Sequence, residues 1–265
     1  MSNRNRTPDC TRSRHPAHAP ARARLAAPAR ATLAALTLLA AAAQAQTELA
    51  PLIGPTGDAP PPPWAYAGLP AQKPPPTRYA ITTLDGQRVL RIEADKSYGN
   101  LLHPLAGTAA GQLSWRWRVD RPLAAVNLRT KPGDDAALKV CALFDMPPDR
   151  VPFIERQLLR LVEARLGQPV PTATVCYVWD HTVAPNTVLP NAFSPRVRYI
   201  TLGGLPGVWS DERHDLAQDF LRAFGDESST VPPLRALAVG ADADNTGGQS
   251  LGWISELRHR PKASP

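Results

Sequence analysis

The sequence lacks any apolar stretch long enough to span a bilayer. Its longest, Ala31 to Ala43 (ATLAALTLLAAAA), falls short of the about 20 residues a spanning helix needs. Cysteine is scarce, three in 265 residues, with no Cys-x-x-Cys and no Cys/His cluster, which disfavours zinc and thioredoxin-type chemistry. Phosphate loops and dinucleotide fingerprints are missing as well: Gly203-Gly204 and Gly247-Gly248 read as isolated turns. His103, His181, His214 and His259 are scattered, without the spacing of a metal-binding helix, and Ser210, followed by an acidic turn, reads as a helix cap.

Acidic residues are nearly absent from the first 45 positions. Seven arginines precede the apolar run against one acid, Asp9, and Ala43-Gln44-Ala45 follows it. Basic, apolar and small-residue segments in that order predict a cleaved secretory signal peptide over 1–45, with the working protein starting near Gln46 and acting in the periplasm or the medium. Of the chain's net charge of +7, residues 1–45 carry +6, leaving +1. The basic balance therefore belongs to the leader and does not support nucleic-acid binding. No spanning segment is expected after cleavage. Cys10 leaves with the leader. Cys141 and Cys176, both in strand-like runs, remain as either a disulfide or two buried thiols.

Proline is what the mature chain has in plenty. Residues 46–77, with Pro60 to Pro63 and Pro74 to Pro76, read as an extended linker or strap that Trp64 and Tyr66 could anchor. From 78 to 265 the pattern is that of strands. Leu113, Trp115, Trp117 and Val119 alternate with Ser114, Arg116 and Arg118. Ala136 to Phe144 and Thr174 to Trp179 are apolar on both faces, as central strands are. Strands at this spacing, without regular helix alternation, predict an all-β fold: a β-sandwich, jelly-roll-like, with two short helices. One helix is expected from Asp149, with Ile154, Leu158, Leu161, Val162 and Leu166 as its apolar stripe and Gly167 as its stop. The other is expected after Ser210, with Asp211 and Glu212 in its first turn and a Leu216, Phe220, Phe224 stripe.

Several words along these strands, in order, resemble a bacterial family known as domain of unknown function 3047. They are Trp115-Arg116-Trp117-Arg118-Val119, Lys131-Pro132-Gly133-Asp134-Asp135, Cys176-Tyr177-Val178-Trp179, then Trp209 with Glu212-Arg213, and Asp242-Ala243-Asp244-Asn245-Thr246-Gly247. The resemblance covers Tyr79 to the end and implies an exported β-sandwich, similar in build to carbohydrate-binding modules. It implies no activity. His214 stands where the resemblance leads one to expect Asn.

Two constellations offer chemistry. Asp242, Asp244 and Asn245 are hard oxygen ligands in a glycine-bearing loop, a candidate structural calcium site. It is not an EF-hand, because the twelfth position is Trp253. The competing reading is a turn whose side chains bond their own backbone. Arg116, Arg118, Asp134, Asp135 and Trp179 are the candidate ligand-binding set. Polar groups would bond sugar hydroxyls and the indole would stack on a ring. A structural arginine–carboxylate network is the alternative for the same charges. The expectation is a ligand-binding protein, with a glycan or another small molecule as partner. A polysaccharide hydrolase or lyase and a structural envelope protein are the competitors.

Overall fold

The computed structural model describes residues 48–262, except Pro70 and Gln168. The leader lies outside the described residues. In chain order the elements are β1 (Ala65–Ala67), β2 (Arg78–Leu84), β3 (Gln87–Asp95), β4 (Asn100–Thr108), β5 (Gly111–Arg121) and β6 (Lys139–Phe144). Helix α1 (Phe153–Leu166) follows, then β7 (Ala173–Trp179), β8 (Val188–Pro190), β9 (Val197–Leu202) and β10 (Ser210–Asp215). Helix α2 (Leu216–Phe224), β11 (Leu234–Gly240) and β12 (Gln249–Pro261) complete the chain.

The strands form the expected all-β sandwich. One sheet has seven strands in the order β1-β4-β11-β6-β7-β9-β8, and the other has five in the order β10-β5-β12-β3-β2. All neighbours are antiparallel except β7 and β9. The alternation in β5 sends Leu113, Trp115, Trp117 and Val119 between the sheets, where they are buried against Val140, Phe144, Tyr177 and Val239 of the facing sheet. The β2–β3 hairpin turns on Asp85-Gly86, both at positive φ (52° and 76°), the geometry a two-residue hairpin loop demands and Asp-Gly supplies. Strands β6 and β7 are buried on both faces. Their inner residues join the core, while Cys141, Leu143, Cys176 and Val178 form a second cluster on the outer face.

Two expectations need correction. Ser210 to Asp215 is not the start of a helix but an edge strand on β5, and α2 begins at Leu216 with Asp215 as its cap, accepting from the Ala217 and Gln218 amides. Pairing with β5 gives Asp211 and Glu212 partners, Arg116 and the Trp117 indole N–H, that a helical first turn would not. Asp149 does not cap α1. It lies in a separate 3-10 turn, Pro148–Arg150, and Pro152 precedes the helix without a side-chain cap. The stop at Gly167 is as expected, with a left-handed φ of 67°. The apolar stripe of α1 does not face the core: Ile154, Leu158, Leu161 and Val162 are exposed, and Leu159 makes the core contact instead.

The proline-rich segment lies against the sandwich. Trp64 is buried, its indole N–H donates to the Ala50 carbonyl at 3.1 Å, and β1 adds a short edge to β4. Leu52 joins the core, so the packed unit reaches back before residue 78. Strand β4 escapes the sequence pattern because Pro104 and Gly107 interrupt it. Pro104 is tolerated because β1 pairs only with residues 100–102, leaving no partner there for the missing N–H.

Candidate functional site

The outer face of the seven-stranded sheet carries a groove of about 460 Å3. Its floor is apolar: Leu102 of β4, Ala238 of β11, and Cys141 and Cys176 of β6 and β7. The two cysteines face each other across the β6–β7 ladder and are joined by a disulfide. Tyr98, Phe193 and Tyr199 line the groove, and Phe193 is exposed.

One end of the groove is polar and strongly bonded. Asp134 leaves the 3-10 turn Lys131–Gly133, and both its oxygens accept hydrogen bonds: Oδ1 from the Tyr199 hydroxyl at 2.9 Å, Oδ2 from the Asn191 amide at 2.5 Å. Asn191 in turn accepts from the Phe193 and Ser194 amides, which sets the loop that carries the Phe193 ring. Behind them Lys139 donates to Asp242 at 2.7 Å, and Asp242 also accepts from the Ala136 amide. Asp135 is a clamp: it accepts from the Asn245 and Thr246 amides and from the Asn245 side chain, tying the β6 approach to the loop after β11.

Burial sets the electrostatics. It pushes the Asp134 carboxyl up from its ordinary value to about 6, against the lowering effect of the Tyr199 and Asn191 hydrogen bonds. Burial likewise raises Asp244, helped by the neighbouring Asp242 and Asp135 charges. For Lys139 burial alone would favour the neutral amine, but the Asp242 charge outweighs it and holds the pKa above the ordinary value. Burial pushes the Asp242 carboxyl up in its turn, against the lowering effect of the Lys139 ammonium beside it.

The acids of the candidate set and Asn245 converge here: Asp134, Asp242, Asp244 and Asn245 line the groove, and Asp135 lies directly behind. The arginines and the tryptophan do not. Arg116 and Arg118 point outward from the five-stranded sheet, paired with Asp211 and Glu256 and with Asp120 and Asp85. Period-two alternation put them opposite Trp115 and Trp117, and the inward tryptophans oblige them to face out. Trp179 is 3% exposed and packs in the core, with its ring edge against Gly204, so it presents no face to a sugar. Lys139, Asn191, Tyr199, Tyr98 and Phe193 were not singled out. Lys139 did leave a signal: a lone charge within the apolar run Ala136 to Phe144 requires a buried counter-ion. A further motif was also passed over. Gly248-Gln249-Ser250-Leu251-Gly252 has the Gly-x-Ser-x-Gly spacing, yet Ser250 is buried within β12, not on the strand-to-helix turn a nucleophile requires.

For a metal, the carboxylates that approach one another are Asp135, Asp242 and Asp244, with ligand atoms within 4.8 Å. Asn245 adjoins them. Its side-chain amide donates to Asp135 and to the Asp134 carbonyl. Asp242 already holds an ammonium and Asp135 is occupied by amides, while Asp244 Oδ1 is buried and without a hydrogen-bond partner.

Fold and site together define a two-sheet β-sandwich with a ligand-sized groove on one open face. The family model described as a protein of unknown function (DUF3047) matches residues 62–258, and the chain belongs to that family. Among solved structures it is similar to the endoglucanase 3 of Trichoderma harzianum from family GH12, with 10% identity, a TM-score of 0.35, and coverage of 69% of this chain and 85% of that one. No curated protein matches.

Proposed function

We propose that this protein is exported to the periplasm or the medium and binds a carbohydrate in the groove of the seven-stranded sheet. The observation that carries the reading is the composition of that groove. Aromatic rings of Tyr98 and Phe193 line the same space as the Tyr199 side chain, the amides of Asn100, Asn191 and Asn245 and the carboxyl of Asp134. Rings that stack on a sugar face, beside planar groups that bond its hydroxyls, are what a saccharide site needs. A glycan array followed by calorimetry tests it. Wild type should retain a glycan, and Phe193→Ala and Asn191→Ala should each weaken binding roughly tenfold, the value of one lost anchor. Absence of any retained glycan would sink the reading. Export is tested by recovering the protein from the producing cell and sequencing its N-terminus, expected at Gln46.

A hydrolase is the second reading, favoured by one observation: Asp134, held near 6, is a carboxyl half-protonated close to neutral pH, as a general acid must be. Its oxygens are engaged by Tyr199 and Asn191, so ligand entry would have to release one. Reducing-sugar release lost in Asp134→Asn would establish it. Glycan binding without turnover would leave the binding reading alone.

A further inference from the structure

Helix α1 turns its apolar side away from the protein. Phe153, Ile154, Leu158 and Leu161 are 66%, 73%, 57% and 53% exposed, and Val162 lies beside them. Positions 154, 158, 161 and 162 fall on one side of a 3.6-residue repeat, so they form a continuous stripe. The helix cannot roll to bury it, because its other side is fastened by polar contacts. Glu155 pairs with Arg196, which also binds Glu227. Glu163 accepts from the Val170 amide, Arg156 donates to the Pro148 carbonyl, and Leu159 packs on the core. Both acids of the helix are therefore consumed facing inward. Arg160 and Arg165 of the helix are exposed and have no ion-pair partner among the described residues; Asp149 and Arg150, both exposed, precede it.

We propose that this face of α1 docks on an anionic bilayer, the apolar stripe entering the headgroup–acyl boundary and the arginines meeting lipid phosphates. An amphipathic helix with aromatic and aliphatic residues on one side and cations at its flanks is suited to that plane. At 14 residues α1 lies on a membrane and does not cross it, and no described helix is long and apolar enough to cross. A second copy fits less well. The stripe, Phe153 to Val162, is about 14 Å long with a footprint on the order of 150 Å2, against roughly 800 Å2 per partner in a stable interface. Self-pairing would also bring Arg160 and Arg165 to a surface whose acids are already spent. A bilayer sets no minimum area and supplies the negative charge.

The test is vesicle flotation of the chain from Gln46, which carries every described element and excludes the apolar run at Ala31 to Ala43. Vesicles of phosphatidylcholine with 30% phosphatidylglycerol, used as an arbitrary anionic fraction of about a third, are compared with phosphatidylcholine alone. Protein should float with the anionic vesicles, less so at high salt, and remain behind with neutral ones. Leu158→Glu/Leu161→Glu should lower partition roughly tenfold or more, and Arg160→Glu/Arg165→Glu by a similar factor. All these positions are exposed, and an unchanged melting temperature confirms that the variants fold. No flotation with anionic vesicles overturns the proposal. So does flotation that ignores both double substitutions, and so does a wild-type dimer in sedimentation that Leu158→Glu/Leu161→Glu converts to monomer.

Discussion

The Lys139 ammonium sits 2.7 Å from the Asp242 carboxylate, with both side chains buried where the groove meets the loop after β11. Neither charge can be left alone there, because an unpaired ion in that environment loses its hydration without compensation. Lys139→Met is expected to cost about 3–5 kcal/mol of stability, the loss typical of breaking a buried pair from one side. Lys139→Met/Asp242→Leu should recover part of it. Urea unfolding of the two variants checks both statements, and equal losses would contradict the pairing argument.

Chelation should leave the fold unchanged. The cation beside Asp242 is supplied by Lys139, and Asp135 is saturated by amides, so the triad with Asp244 does not depend on an added ion. The melting temperature with EDTA is expected to match that with millimolar calcium. A rise with calcium that Asp244→Asn abolishes would make the loop a calcium site after all.

Asp134 should impose a pH dependence of its own. Its pKa lies near 3.8 in the unfolded chain and about 6 in the folded one, so between these values the folded state holds the extra proton. Its effect on stability is most favourable below 3.8 and is lost as pH rises through 6. Compared with Asp134→Asn, wild type should lose melting temperature over that interval and run parallel above it. Scanning calorimetry of both proteins across the range reads this directly.

His214 gives the same sign from a basic group. Burial alone would lower its pKa, but the hydrogen bond to Asp219 and the charges of Asp219 and Glu212, the latter 3.7 Å from Nε2, outweigh this and raise it. The ring lies 4.2 Å from Tyr177 and 5.3 Å from Trp115, and its Nδ1 is 3.2 Å from Asp219. The ion pair's contribution is complete below the ordinary histidine pKa of 6.5 and disappears as pH rises through the raised value. His214→Asn, which installs the residue expected at this position, should therefore cost more at pH about 6 than at pH about 9. Denaturant midpoints at the two pH values decide it.

Much of the architecture is local and therefore legible in the chain. The period-two alternation of Leu113 to Val119, the Asp85-Gly86 turn and the Gly167 stop each follow from steric rules acting within a few residues. The runs around Cys141 and Cys176 declared central strands because nothing charged interrupts them except Lys139. The acids Asp134, Asp135, Asp242 and Asp244 were also visible as residues of interest, and the fold does gather them.

What only the tertiary structure decided is which face each element presents and which distant residue answers it. Ser210 to Asp215 has enough helix signal to read as a first turn, yet an open edge on β5 pairs it as a strand. The stripe of α1 has the period of a core helix, yet Arg196 and Glu155 turn it outward. Arg116 and Arg118 share their strand's pattern with Trp115 and Trp117, and packing between two sheets sent the indoles in and the guanidiniums out. Sequence periodicity specifies a face but not its neighbour. The groove exists because segments distant in the chain, bearing Asp134, Asn191 and Asp244, meet over the outer face of one sheet.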